Sequence, residues 1–224
     1  MSRRRVRSIP VTAAVVLALL GTLTGCTMAL PPDSSATPIP SATPTASGSA
    51  SPTVEITLQD GDLLDPSQTA VWADPLAGAD GYSVLTADEG DGSWSYKSDR
   101  TGCIVGYWHG PLGDTSAGGD DSALSDELLA AQFGTTADEV AGFVQNDAAP
   151  FRTPSELVQT RAVAGADEET ATTYLVAARA FSALGEGFVA TLRCPATTNV
   201  QAMWSLLSSD PNAFQLVFSQ KPAG

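Results

Sequence analysis

Apolar and polar side chains alternate in residues 94–96, 103–107 and 188–194, placing every second side chain on one face, the period of a β-strand. Residues 173–183 also read as a strand, because Leu184, Gly185, Glu186 and Gly187 supply a flexible hairpin connection to 188–194. Helical spacing appears elsewhere. Residues 122–133 carry Leu124, Leu128 and Ala131 on one face and stop at Gly134, while Thr136 and Glu139 form a capping box ahead of Val140, Phe143 and Val144. Thr198 is expected to cap a third helix in which Val200, Met203, Trp204 and Leu207 make one apolar stripe, ended by Asp210 and Pro211. Residues 214–218 then alternate as a last strand. The predicted order is strands, two helices, strands, helix, strand. Its expected class is α+β, a mainly antiparallel sheet with helices packed on it.

The N-terminus follows neither period. Arg3, Arg4, Arg5 and Arg7 precede residues 11–20, which are apolar except for Thr12, and this is the charge and length pattern of a signal peptide. A permanent membrane helix needs about 20 apolar residues, and even the generous stretch 9–23 is shorter and contains Pro10. The apolar run ends in Leu23-Thr24-Gly25-Cys26. This tetrapeptide resembles the lipobox of bacterial prolipoproteins: an aliphatic residue, two small residues, then cysteine. The resemblance covers residues 1–26. It implies cleavage after Gly25, a diacylglyceryl group on the Cys26 sulfur, and a chain anchored to the extracytoplasmic face of the cell membrane through that lipid. A thiolate is the nucleophile such a modification needs, and two acyl chains hold a protein to a bilayer where one would not. Ser2-Arg3-Arg4 resembles the start of a twin-arginine signal, but Arg7 stands where that signal has an apolar residue. General secretion is the expected route, and the twin-arginine route stays open.

Residues 26–54, the lipidated cysteine and its linker, are built from Pro, Ser, Thr and Ala, with Pro31, Pro32, Pro38, Pro40, Pro44 and Pro52 and the single charge Asp33. Such a segment has nothing with which to build a core and is expected to be a disordered, semi-rigid spacer. It reaches from about 30 Å as a coil to about 85 Å if extended. Its serines and threonines would also suit O-glycosylation. Residues 55–224 are then the one domain able to bury a core, because 43% of the chain is hydrophobic and only 16% charged. The order of its elements resembles the PsbP-like α/β/α sandwich of some surface lipoproteins, a likeness of fold.

Charge narrows the partners. Loss of the leader's four arginines leaves seven cations against 25 acids, so the formal charge falls from −14 to −18. Nucleic acid is not an expected partner, since the scattered Lys97, Arg100, Arg152, Arg161, Arg179, Arg193 and Lys221 make no basic face. Anionic head groups would repel the domain, leaving the lipid on Cys26 as its tie to the membrane and an envelope ligand or protein as the expected partner. Cys103 and Cys194 remain for an oxidising compartment and are expected to pair, because each sits at an end of an apolar strand and neighbouring antiparallel strands can bring them together.

Candidate chemistry is sparse. His109 is the single histidine and a possible general base, but the sequence shows no nucleophile or orienting group for it, so a half-buried or surface role is expected. Two cysteines and one histidine are too few for a four-ligand zinc site, and neither a metal nor a cofactor is expected. Asp60 and Asp62, the group Asp88, Glu89 and Asp91, and the acids within 114–121 invite calcium, yet none has the alternating EF-hand spacing, and Asp with Gly is also the ordinary vocabulary of turns. Trp72, Trp94, Tyr107 and Trp108 are expected mainly in the core, with a ligand groove as the alternative. The expectation is a non-catalytic binding or assembly module. A hydrolase using His109 and a calcium-dependent surface protein are the alternatives.

Overall fold

The computed structural model describes residues 55–59, 64–113, 120–209 and 212–222. All of them belong to the compact unit Gly48–Gly224. The leader, Cys26, the linker, Asp60 to Asp62 and residues 114–119 lie outside the described residues.

In chain order the elements are β1 (Glu55–Ile56), β2 (Gln68–Trp72), β3 (Tyr82–Thr86), β4 (Ser93–Ser98), β5 (Ile104–Pro111), α1 (Asp121–Phe133), α2 (Ala137–Ala141), β6 (Gln145–Asn146), β7 (Phe151–Arg152), β8 (Leu157–Val158), β9 (Arg161–Asp167), β10 (Thr172–Phe181), β11 (Glu186–Pro195), α3 (Val200–Ser209) and β12 (Leu216–Gln220). Among the described residues, seven strands form one sheet in the order β3-β4-β5-β11-β10-β9-β6, antiparallel at every step. This is the expected α+β class. Two smaller sheets, β1-β8-β7 and β12-β2, accompany it.

Period-two patterning sorts the long central strand β10 between two cores. Leu175, Ala177 and Phe181 join Trp72, Tyr107, Phe188, Trp204 and Phe214 in one cluster, whereas Val176 and Ala178 join Val189, Leu129 and Ala130 of α1 and Val140 of α2 in the other. The sheet is therefore covered on both faces. α1 and α2 contribute to one core, and α3 with the β2-β12 pair contributes to the other.

The helix ends follow the chemistry of their residues. Asp120 caps α1 by accepting the Ser122 N–H at 2.9 Å, and Gly134 ends it in the left-handed region (φ 63°), where a side chain would be strained. The Thr136–Glu139 capping box forms as expected. Its helix is only five residues long, because Gly142 closes it, so Val140 is buried while Phe143 stays 73% exposed beyond the end. At α3 the cap is Asn199 rather than Thr198: the Asn199 side chain accepts the Ala202 N–H at 3.0 Å, and the Thr198 carbonyl instead takes the Thr173 hydroxyl.

Three strand expectations shift. The hairpin turn precedes Glu186, because Leu184 and Gly185 both donate to the Phe181 carbonyl, so Glu186 and Gly187 join β11. The last strand is Leu216–Gln220, and it pairs with β2 rather than with the large sheet. β2, β3 and β9, and the two-residue strands β1, β6, β7 and β8, were not expected at all.

Cys103 and Cys194 form the expected disulfide. They stand next to the facing pair Ile104 and Arg193 of β5 and β11, with Cα atoms 4.2 Å apart. That spacing is close to the one that directly opposed, non-hydrogen-bonded residues of antiparallel strands have in any case.

Arg179 on β10 and Asp121 at the start of α1 are both fully buried and meet at 2.9 Å. The guanidinium also donates to the carbonyls of Thr57 and Gln159, and the other Asp121 oxygen accepts the N–H and hydroxyl of Ser182. Breaking one side of a pair with this little water is costly. Asp121→Ala is expected to lower unfolding free energy by about 3–5 kcal/mol, and the double change Asp121→Leu with Arg179→Met to recover a large part of it. Urea denaturation of the three proteins checks this, and a double variant no more stable than Asp121→Ala would show that the pair is not the source of the loss.

Candidate functional site

A recess of about 420 Å³ opens beside β4, between the end of β2 and the segment 84–88 that ends β3. Alternation builds its floor: Trp94 and Tyr96 are two residues apart on β4, so both project from the same face, opposite Tyr107 and Val105 of β5. Trp94 stacks on Tyr107 (centroids 5.3 Å apart, planes 22°), and Trp72 meets the same tyrosine edge-on at 5.3 Å. The Trp72 indole N–H is already taken, donating to the Trp108 carbonyl at 3.1 Å.

Asp74 closes one side. It follows β2 with φ 50°, the left-handed region that non-glycine residues seldom enter, although Pro75 follows and biases the preceding residue toward extended geometry. Aspartate tolerates this better than most residues, and such outliers concentrate at functional sites. Its Oδ2 accepts the Tyr96 hydroxyl at 2.8 Å. Desolvation, and then that hydrogen bond, push the Tyr96 phenol up to about 12, so it remains a donor to Asp74 at any physiological pH. The other oxygen, Oδ1, and the Trp94 indole nitrogen are both closed off from solvent and have no hydrogen-bond partner among the described residues. An unmade bond of this kind costs about 1–3 kcal/mol. Two of them, one acceptor and one donor, belong to residues lining a single hollow.

A second hollow of about 420 Å³ lies between Phe133, Val140 and Phe143 on one side and Val163, Gly165 and Tyr174 on the other. It is mainly apolar. Its carboxylate, Glu139, is engaged by Thr135 and Thr136 in the α2 cap, and none of the residues lining it carries a buried polar atom without a partner. The recess at Trp94 is therefore the candidate site.

The other residues singled out in the sequence have structural surroundings. His109 stacks flat on Phe188 (4.5 Å, 9°) with Nε2 3.9 Å from Glu186. That carboxylate accepts the Thr69 hydroxyl at 2.7 Å and the Ala70 N–H at 2.9 Å, so it is committed to holding β2. Gly92, at φ 75°, packs so closely on the His109 backbone that a Cβ there would collide with the His109 carbonyl. Asp88 accepts the N–H groups of Gly90 and Gly92, and Asp91 that of Ser93, the bonds of tight turns. Asp120 and Asp121, taken with the turn acids in the sequence, belong to α1 instead, one as its cap and one in the buried ion pair. No group of three or more acidic, histidine or cysteine side chains suited to a metal occurs among the described residues. Trp72 and Tyr107 are core residues as expected, Trp94 and Trp108 are half-buried, Trp108 against the second core, and Trp72 and Trp94 line the recess. Asp74 was missed, because in sequence it is an ordinary Asp-Pro turn signal.

No family model and no curated protein matches the chain. Among solved structures, a crystal structure from Bacteroides thetaiotaomicron VPI-5482 is similar over 71% of this chain at 8% identity, with a TM-score of 0.38, and the match spans 48% of that protein.

Burial holds the His109 imidazole below its ordinary 6.5, against a smaller opposite pull from Glu186. The unfolded chain therefore binds the proton first as pH falls below 6.5, and folding stability is lost between that value and the folded one, while above 6.5 the two states do not differ in this group. His109→Gln is expected to flatten the fall in urea midpoint between pH 7 and pH 5. Equal slopes in both proteins would remove His109 from the acid response.

Proposed function

We propose that the chain is a lipoprotein, anchored through lipid on Cys26 to the extracytoplasmic face of the cell membrane, and that its acidic domain is a binding module rather than an enzyme. The anchor rests on the four arginines, the apolar run and Leu23-Thr24-Gly25-Cys26. The Cys103–Cys194 disulfide supports export, since such bonds persist in oxidising compartments.

One observation carries the binding reading: Asp74 Oδ1 and the Trp94 indole N–H have no hydrogen-bond partners among the described residues, and both residues line the aromatic recess. Recognition sites combine an apolar floor with a few placed polar groups, and this recess has both. Around His109, by contrast, the neighbouring carboxylate is spent on the fold through Thr69 and Ala70. A hydrolytic base needs a group free to orient it.

Cys26→Ser is expected to abolish lipid incorporation and cleavage after Gly25, and to move the protein out of the membrane fraction. Mass spectrometry of the mature N-terminus and fractionation of cells check it. An unmodified Cys26 in membrane-derived protein would sink the anchor.

A further inference from the structure

We propose that the recess beside Trp94 is a subsite for a neutral saccharide, one ring of which lies on the indole face while its hydroxyls bond Asp74 and the indole N–H. The inference rests on the binding-module reading and adds its ligand class.

Three features select a polyol over other small ligands. The floor is an aromatic face backed by Tyr107 at 5.3 Å, which suits the C–H face of a pyranose. The open hydrogen-bonding atoms are of opposite kinds: Asp74 Oδ1 accepts and Trp94 Nε1 donates. A hydroxyl both donates and accepts, so a polyol carries a partner for either atom. An ammonium or guanidinium group would meet the carboxylate and the ring face but has no acceptor for the indole N–H. An anion would meet Asp74 and Asp88 on the recess wall and the formal −14 of the whole chain. Tyr96 adds definition, because its hydroxyl hydrogen is directed to Asp74 Oδ2 and its oxygen remains an acceptor. A volume of about 420 Å³ falls in the ordinary range of small-ligand sites, about 300–1,000 Å³. Both open atoms are closed off from solvent in the free recess, so the proposed contacts require the Trp94 and Asp74 side chains to turn on binding.

The test uses the full chain in a detergent without a sugar head group, titrated with maltotriose, cellotriose and N,N′-diacetylchitobiose, and separately with spermidine as a cationic probe. Binding is read by calorimetry and by the indole N–H resonance of Trp94, assigned from its loss in Trp94→Phe. At least one saccharide should bind and move that resonance. Asp74→Asn should weaken it roughly tenfold, the loss expected for a hydrogen bond to a charged group, and Trp94→Ala about as much. Asparagine tolerates the left-handed backbone as well as aspartate does, so Asp74→Asn stays informative if Trp94→Ala fails to fold. Phe143→Ala, in the second hollow, should leave binding unchanged. Saccharide binding that survives both recess substitutions would overturn the site. Asp74-dependent binding of spermidine with none of the saccharides would overturn the ligand class and leave the binding module standing. A Trp94 resonance that no probe moves would overturn both.

Discussion

A guanidinium with no exposed surface has to find its counter-charge and its hydrogen bonds inside the protein, and the position of Arg179 in β10 decides where several other parts of the chain can lie. Its carboxylate partner comes from the first turn of α1, its other acceptors from Thr57 after β1 and Gln159 after β8. Asp121 in turn fixes the hairpin by accepting from Ser182, and Ser125, one helical turn on, accepts the Ala180 N–H at 2.9 Å. Helix, central strand, hairpin and one of the small sheets thus converge on one ion pair. Such a pair contributes less to net stability than its bonds suggest, because both ions have been taken from water. Its effect is to penalise alternative packings, in which either charge would be buried without the other.

A second carboxylate does comparable work on the other side. Glu186 opens β11 and binds the Thr69 hydroxyl and the Ala70 N–H of β2, although β2 is hydrogen-bonded to β12 and not to the large sheet. That link sets the height at which Trp72 enters the aromatic core, against Tyr107, Phe151 and Phe188. Asp74 lies two residues further on, so the same link carries it to Tyr96. The candidate site is in this sense a product of long-range contacts: the segment after β2 and strand β4, held by bonds made elsewhere, bring an acid, an indole and a phenol together.

This origin explains what the sequence could disclose. Strands β4, β5, β10 and β11 were legible because each shows period-two alternation or lies in a hairpin, and α1 and α2 because Gly134 and the Thr136–Glu139 box are local signals. β9, with Arg161, Ala162, Val163, Ala164, Gly165, Ala166 and Asp167, has small side chains on both faces and so no contrast to read. β2 is too short, and its partner β12 is nearly 150 positions away. The disulfide was legible by counting cysteines. The Arg179–Asp121 pair was not, since nothing in a run of acids says which one will be buried. Of the recess, the sequence offered Trp72, Trp94 and the strand through Tyr96, while Asp74 gains its meaning only from a fold that sets it against Tyr96.

The acidic composition divides along the same line. Asp65, Asp88, Asp91, Asp120 and Asp167 each accept a backbone N–H two residues ahead, a turn or cap bond that any exposed loop can form. Hydrogen bonds from Ser67, its N–H first, hold Asp65 below the usual carboxylate range, and the Thr170 hydroxyl and then the Thr170 N–H do the same for Asp167, so their charges persist in mild acid. Acids spent in this way are part of the backbone's own bookkeeping and say little about ligands. Asp74 is of a different kind. It accepts from a side chain 22 residues away across the mouth of an aromatic hollow, keeps one oxygen without a hydrogen-bond partner among the described residues, and holds a backbone conformation that its neighbour Pro75 disfavours. Two unmade hydrogen bonds and a strained residue are costs that the rest of the domain offsets, and their concentration in one hollow is what separates the recess from the many acidic turns around it.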